Sequence, residues 1–253
     1  MTWAGVKEVV VHGHDLLWTP ITSVSYMIGC NLFGLNAGMH HATNVLLHIV
    51  AALLVFYTLW RYTGSYVFAW AVAFVFALHP LNVESVAWVS GRKNQLYAIF
   101  WMCSLLAYRR YALAPSLKRY GVVFLLHFAG LASKPTHLML PAVLLLLDVW
   151  PLGRIAPRAV FTVAGLRRVG MLVLEKVPLF ALSGAITVWT MRIVAEGGGL
   201  RSFDDIPLSM RLPNTAYVYA YFVQKLFWPT NLAVEYPYPH PALPGGVVAV
   251  SVG

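Results

Sequence analysis

Charged residues are scarce in this chain of 253 residues: Asp, Glu, Lys and Arg make up 11% of it, against roughly a quarter of a typical soluble domain. The two cysteines, Cys30 and Cys103, fit neither a disulfide framework nor the spacing of a metal site. The N-terminus lacks the basic start and apolar core of a signal peptide. No internal repeat of roughly 20 to 50 residues is visible. The low charge excludes a soluble globular enzyme.

Apolar residues are abundant instead, at 59% of the chain, and the mean hydropathy is +0.69. The clearest apolar run covers residues 41–62, and 22 residues at about 1.5 Å each give about 33 Å, enough to cross a bilayer. The sequence therefore predicts an all-α, polytopic membrane protein with about six full spans, an interfacial helix and a truncated seventh span. The remaining runs are 66–78, 94–112, 120–132, 136–149, 170–194 and one that starts near 243.

The basic residues predict the orientation, because short cytoplasmic loops accumulate Lys and Arg. Alternating spans place nine of the 18 basic residues on one side, chiefly in the loops 109–119 and 154–168. Topology therefore accounts for the net charge of +9, and no nucleic-acid partner is expected. We predict four regions: 1–40 as part of a first outer loop, 41–194 as transmembrane helices, 195–242 as an outer loop with an interfacial helix, and 243–253 as the start of a truncated span.

The segment 79–94 places one acid, Glu84, and two bases, Arg92 and Lys93, between two apolar runs. Charges are costly at the centre of a bilayer, so this segment lies at the surface or lines a wet cavity. Two interpretations stay open. The charges either flank helices and reach the interface along their apolar stems, or form a pocket in which Arg92 and Lys93 meet an anionic lipid head group.

Other polar residues have simpler interpretations. His12, His14 and Asp15 are close together, but they lack a further ligand along the chain and are interpreted as a polar loop rather than a metal site. Asp148 is expected to have a structural role at the cytoplasmic end. No metal and no cofactor are predicted.

Three separated motifs resemble one family. They are His79-Pro-Leu-Asn-Val-Glu-Ser-Val-Ala-Trp-Val-Ser-Gly-Arg-Lys-Asn, then Ser133-Lys-Pro with Leu144-Leu-Leu-Leu-Asp-Val-Trp-Pro-Leu-Gly, and Phe227-Trp-Pro-Thr-Asn-Leu-Ala-Val-Glu-Tyr-Pro-Tyr-Pro. In this order they resemble the membrane part of the transmembrane and tetratricopeptide repeat-containing family, over nearly the whole chain. Members of that family resemble protein O-mannosyltransferases with the GT-C fold.

The resemblance implies a multi-pass protein of the bacterial inner membrane or the endoplasmic reticulum membrane, active on its extracytoplasmic face. It implies transfer of a sugar, mannose by expectation, from a polyprenyl-phosphate donor to Ser or Thr hydroxyls of a protein acceptor. The expected donor-binding residues are His79, Glu84, Arg92, Lys93 and Lys134.

The family's catalytic carboxylate resembles an Asp-Asp pair in the first outer loop, which this chain starts too late to contain. Asp204 and Asp205 form such a pair but lie in a different loop. We therefore expect an incomplete, inactive fragment, with Asp15 and Glu84 as fallback candidates for the catalytic acid. Whether the chain is an enzyme stays open, and a membrane transporter or a noncatalytic membrane scaffold remain the alternatives.

The topology has a direct test by single-cysteine labelling in a background that lacks Cys30 and Cys103. We expect Ser116→Cys to be labelled from the cytoplasmic side and Ser202→Cys from the opposite side, because the basic loops alternate with the predicted outer loops. Labelling of both positions from the same side would contradict the assignment.

Overall fold

The computed structural model describes residues 5, 7, 9, 17–155, 162–199 and 207–233. Within these residues the regular secondary structure is helical: α1 Pro20–Phe33, α2 Ala37–Thr63, α3 Tyr66–Leu78, α4 Val83–Ala87, α5 Arg92–Leu113, α6 Leu117–Leu131, α7 Leu140–Val149, α8 Val163–Glu196 and α9 Leu208–Phe227. Short 3₁₀ turns at Pro80–Asn82, Val89–Gly91 and Pro135–Met139 join some of them. The predicted all-α class is confirmed for the described part of the chain.

Side-chain caps explain where several helices begin. Asn36 accepts a hydrogen bond from the Met39 amide at the start of α2, and Ser65 accepts one from the Phe68 amide at the start of α3. Ser116 and Thr162 cap α6 and α8 in the same way. Each cap satisfies an amide that has no partner inside its own helix. Gly64 ends α2 in the left-handed conformation with φ of 72°, which glycine adopts without steric cost.

Two helices, α2 and α8, are long and apolar enough to cross a membrane, and a third span results if α3 is counted with Pro80–Ala87 across a bend of 53°. The predicted count of six full spans is not confirmed. The helices α6 and α7 have 15 and 10 residues, so they extend only about 22 and 15 Å. The predicted truncated span from 243 lies outside the described residues.

Within the region predicted as part of the first outer loop, residues 20–33 form the helix α1. Pro20 occupies the first turn of α1, where a missing amide hydrogen costs nothing. Pro135 similarly begins the 3₁₀ turn after Ser133 and Lys134. The helix α9 covers the predicted interfacial segment.

The best-packed region joins α5, α6, α7 and α8. Its buried members come from all four helices: Ala107, Tyr108, Val123, Leu140, Leu144 and Leu179. On its other side, α5 packs along α2. The helix α5 is therefore the element that connects the two halves of the described bundle.

A buried ionic cluster lies beside this core. We call it the Asp148 cluster; it comprises Tyr108, Asp148, Arg154, Glu175 and Lys176. The Asp148 carboxylate accepts hydrogen bonds from the Tyr108 hydroxyl at 2.5 Å, Arg154 at 3.0 Å and Lys176 at 2.5 Å. Arg154 also donates two parallel bonds to Glu175, at 2.9 and 2.8 Å. Two acids and two bases balance, which agrees with the structural role expected for Asp148.

Breaking this cluster should make the bundle less stable. We expect Asp148→Asn to lower the free energy of unfolding by about 3–5 kcal/mol, because Arg154 and Lys176 would then share Glu175 as their carboxylate partner, which leaves one positive charge of the cluster uncompensated. Denaturant titration in detergent micelles measures the change. The exposed Arg168→Gln serves as a control with an expected change within about 0.5 kcal/mol. A loss for Asp148→Asn as small as that of the control would contradict a structural role.

Candidate functional site

The first motif folds into a compact polar surface between α3 and α5. His79 caps the first 3₁₀ turn: its Nδ1 accepts a hydrogen bond from the Leu81 amide at 3.2 Å, so its Nε2 carries the proton and donates to the Leu226 carbonyl at 2.9 Å. Both ring nitrogens are therefore used within the protein. His79 ties this surface to the C-terminal end of α9, rather than facing a ligand with a free nitrogen.

Gly91 lets α5 begin very close to α4. A Cβ atom at this position would lie 2.8 Å from the Ser85 carbonyl oxygen, nearer than carbon and oxygen tolerate. The close approach places Asn94 and Gln95 against α4, where their side-chain amides donate to the Ser85 hydroxyl at 3.0 Å and its carbonyl at 3.2 Å. Asn94 and Gln95 therefore both hold the start of α5 against α4.

Arg92 points into the protein and is only 1% exposed. Its guanidinium donates to Asn44 Oδ1 at 3.0 Å and to the Ser25 carbonyl at 3.1 Å, and it contacts His40 through Nη2. It also lies 4.5 Å from the centre of the Tyr26 ring. Although Arg92 was expected to meet the donor phosphate, its donors are directed at α1 and α2.

Lys134 reaches the start of α5 from a position far along the chain. The Lys134 ammonium donates to Asn94 Oδ1 at 2.8 Å, directly beside Lys93 in the sequence, and lies 5.7 Å from the centre of the Tyr97 ring. Burial lowers the pKa of Lys134, and the charge of Lys93 lowers it further, while Glu84 acts in the opposite direction. Glu84 itself is exposed. We call Glu84, Lys93, Asn94 and Lys134 the outer polar cluster.

Backbone contacts with α1 hold the turn that carries Lys134. The Ile21 amide donates to the Ala132 carbonyl at 3.0 Å, and the Thr22 hydroxyl donates to the Ser133 carbonyl at 2.9 Å. The Lys134 amide also donates to the Gly130 carbonyl at 2.9 Å. Lys134 therefore stands on a turn whose backbone is bonded on both sides.

A cavity of about 300 Å³ opens between α1 and the outer polar cluster. Lys93 contributes a positive charge to its wall, and the other polar lining is rich in hydroxyls: Thr19, Thr22, Ser23, Tyr26 and Ser90. Hydroxyls both donate and accept hydrogen bonds, as do those of a sugar. The hydroxyl-rich wall was not predicted from the sequence, although the segment Trp18-Thr-Pro-Ile-Thr, at the start of α1, carries two of its threonines.

Five other candidate residues lie outside the described residues: Asp15, Asp204, Asp205, His12 and His14. Within the ranges that the structure describes, no group of three or more His, Cys, Asp or Glu side chains is arranged to hold a metal ion.

Comparison with known proteins finds similarity to one group. Protein O-mannosyl-transferase Tmtc1 of Drosophila melanogaster is 30% identical over 138 residues, which are 54% of this chain and 16% of that protein. TMTC1 of Mus musculus is 31% identical over 97 residues, covering 37% and 10%. TMTC2 of Homo sapiens is 31% identical over 98 residues, covering 38% and 12%. Over these segments the chain is similar to the TMTC proteins.

This relation confirms the family resemblance over part of the chain. The chain spans about a tenth to a sixth of the length of these curated relatives. No family model and no solved structure matches the chain. Together with the two helices able to cross a bilayer, the TMTC relatives indicate a membrane protein.

The two neighbouring bases of the motif should behave differently when removed. We expect Arg92→Met to lower the free energy of unfolding by about 2 kcal/mol or more, because buried acceptors on Asn44 and Ser25 lose a charged donor. Lys93→Met should change it by no more than about 0.5 kcal/mol, since Lys93 is partly exposed. Thermal and denaturant unfolding in micelles measure both; equal losses would contradict the separation of roles.

Proposed function

We propose that the protein containing these residues is a membrane glycosyltransferase. It transfers a sugar, mannose by analogy with the names of its relatives, from a polyprenyl-phosphate donor to Ser or Thr hydroxyls of a protein acceptor. The observation that supports this most strongly is the hydrogen bond from the Lys134 ammonium to Asn94, which brings Lys134 to the start of α5, where the charge of Lys93 acts on it. The printed names of the TMTC relatives supply the reaction class.

Two lysines held together are unfavourable without an anion. Burial raises the cost of keeping Lys134 charged, and the nearby charge of Lys93 adds to that cost. A phosphate placed between them would reverse the sign of the interaction and receive several hydrogen bonds. Such perturbed charges in a cleft are typical of functional sites. In this proposal, Lys93 and Lys134 bind the donor phosphate directly, while Arg92 holds α5 in the position that presents Lys93.

The hydroxyl-lined cavity suits the sugar. Its wall includes Lys93, so in the proposal a sugar whose phosphate is bound by Lys93 lies in the same cavity as Thr22 and Tyr26. A carboxylate takes the proton from the acceptor hydroxyl, whose oxygen attacks the anomeric carbon. The bond from that carbon to the phosphate oxygen breaks, and the lysines stabilise the departing lipid phosphate. Glu84, on the exposed side of the cluster, and Asp15 are the proposed candidates for this carboxylate.

The predicted regions give this site its setting in the membrane. In the proposal, helices within 41–194 lie in the bilayer, and the outer polar cluster faces the extracytoplasmic side of the bacterial inner membrane or of the endoplasmic reticulum membrane. The helix α9 lies at the interface, where its many exposed apolar side chains, among them Leu212, Phe222 and Phe227, contact lipid.

Donor use by the full-length protein tests the proposal. We expect Lys134→Met to reduce transfer of mannose from a polyprenyl-phosphate donor to a Ser/Thr peptide by about tenfold or more, mainly through a higher KM for the donor, because a charged hydrogen bond is worth about 1.5–3 kcal/mol. The matched control is Lys118→Met, an exposed lysine at the start of α6. Unfolding curves of both variants check that the fold is intact.

Three outcomes would contradict the proposal. Equal donor use by Lys134→Met and Lys118→Met would mean that Lys93 and Lys134 flank helices without binding the donor. Donor binding without transfer by the full-length protein would favour a transporter. Absence of both would favour a noncatalytic scaffold.

A further inference from the structure

His40 lies in the first turn of α2, buried between Arg92 and the turn that follows α1. We propose that His40 is a positioning residue: it holds Arg92, and with it the start of α5, while its imidazole is uncharged, and it releases Arg92 when the imidazole gains a proton. The consequence for donor binding rests on the proposed function, whereas the contact between the two side chains does not.

The partners of the His40 ring determine its tautomer. Its Nδ1 lies 3.3 Å from Arg92 Nη2, and a guanidinium only donates hydrogen bonds, so Nδ1 is the acceptor. Its Nε2 therefore carries the proton and donates to the Gly34 carbonyl at 3.0 Å. The lone pair of Nδ1 is the one place where the ring can bind a further proton, and it faces a cation.

A proton on Nδ1 would place two cations side by side in a buried site. Two opposed N–H groups would replace the hydrogen bond, and the low local polarity strengthens their repulsion. Burial lowers the pKa of Arg92, while Tyr26 and Cys30 of α1 act in the opposite direction. His41, the neighbouring histidine on α2, is exposed. In the part of the chain that the structure describes, no carboxylate forms a hydrogen bond or an ion pair with His40 or Arg92.

The imidazole has no room to move away from Arg92 towards α1. A Cβ atom at Gly29 would lie 3.0 Å from His40 Cε1 and 3.2 Å from its Nδ1. The same Cβ atom would lie 3.5 Å from Arg92 Nη1, so Gly29 lets both side chains pack against the α1 backbone. We therefore expect the repulsion to be relieved by a shift at the start of α5 rather than by a turn of the imidazole.

Such a shift would act on Lys93, which follows Arg92 in the chain and lines the hydroxyl-rich cavity. Arg92 also donates to Asn44 and to the Ser25 carbonyl, so the loss of His40 loosens the start of α5 without removing all of its contacts. Acidification should therefore move Lys93 within the cavity and weaken donor binding.

Thermal unfolding of the protein in detergent micelles at about pH 7.5 and about pH 5.5 tests the contact, because an imidazole in water gains a proton at about pH 6.5. The folded protein favours the uncharged ring, so stability is lost as the pH falls through this range. We expect the unfolding midpoint to fall on acidification by about 2–4 °C more for the wild-type protein than for His40→Asn, the size of one lost hydrogen bond. Asparagine keeps an acceptor oxygen near the position of Nδ1 and does not titrate.

Two further variants isolate the pair. His41→Asn is the matched control, because it removes an exposed histidine next to His40 and should keep the full wild-type loss. In an Arg92→Met background, His40→Asn should no longer change the pH dependence, since no cation remains beside the imidazole. In the full-length protein, acidification should raise the KM for the polyprenyl-phosphate donor roughly threefold more for the wild type than for His40→Asn.

Four results would overturn the inference. They are equal acid losses for the wild type and His40→Asn, an equally reduced loss for His41→Asn, an effect of His40→Asn that persists in the Arg92→Met background, and the same change of donor KM in both proteins. A loss that depends on His40, in a full-length protein that transfers no sugar at either pH, would support the contact and contradict the proposed function. The two failures are therefore distinguishable.

Discussion

The buried guanidinium of Arg92 determines how the outer surface is built. A charged group removed from water is tolerated only when its donors are matched, and here Asn44, Ser25 and His40 supply acceptors from two other helices. Asn44 in turn donates to the Trp88 carbonyl at 3.0 Å, which fixes the turn preceding α5. Because Arg92 is oriented inward, its neighbour Lys93 is turned about 100° around the helix and faces the cavity.

The two ends of the bundle differ in how their charged side chains are paired. At the Asp148 cluster, two acids and two bases neutralise one another inside the protein, so that end has its counter-charges built in. At the outer polar cluster, the acid among the described residues that acts on Lys134 is Glu84, which is exposed. A balanced buried cluster holds helices together, whereas an unbalanced, accessible one can accept an anion.

The sequence predicted the positions of the important segments more reliably than the contacts of their side chains. The apolar runs predicted α2 and α3 closely, and Pro135 marked the turn that carries Lys134. Adjacent bases such as Arg92 and Lys93 look equivalent in a sequence, since their difference depends on which partners α1 and α2 place beside them. Nothing in the sequence distinguishes Asn94, yet its side chain accepts a hydrogen bond from Lys134, forty positions away. Such pairings depend on packing that no local pattern encodes.

The position of the site at helix ends has a physical reason. The 3₁₀ turns Pro80–Asn82, Val89–Gly91 and Pro135–Met139 interrupt the helices around the outer polar cluster. Each interruption leaves backbone groups without helical partners, which hydrocarbon cannot satisfy, so these turns must lie against protein or water. Side chains satisfy part of them: the His79 imidazole accepts from the Leu81 amide, and the Thr22 hydroxyl donates to the Ser133 carbonyl. In the proposed reaction, a site made from such turns lies where lipid and water meet, which is where a lipid-linked sugar and a water-borne hydroxyl can reach the same atoms.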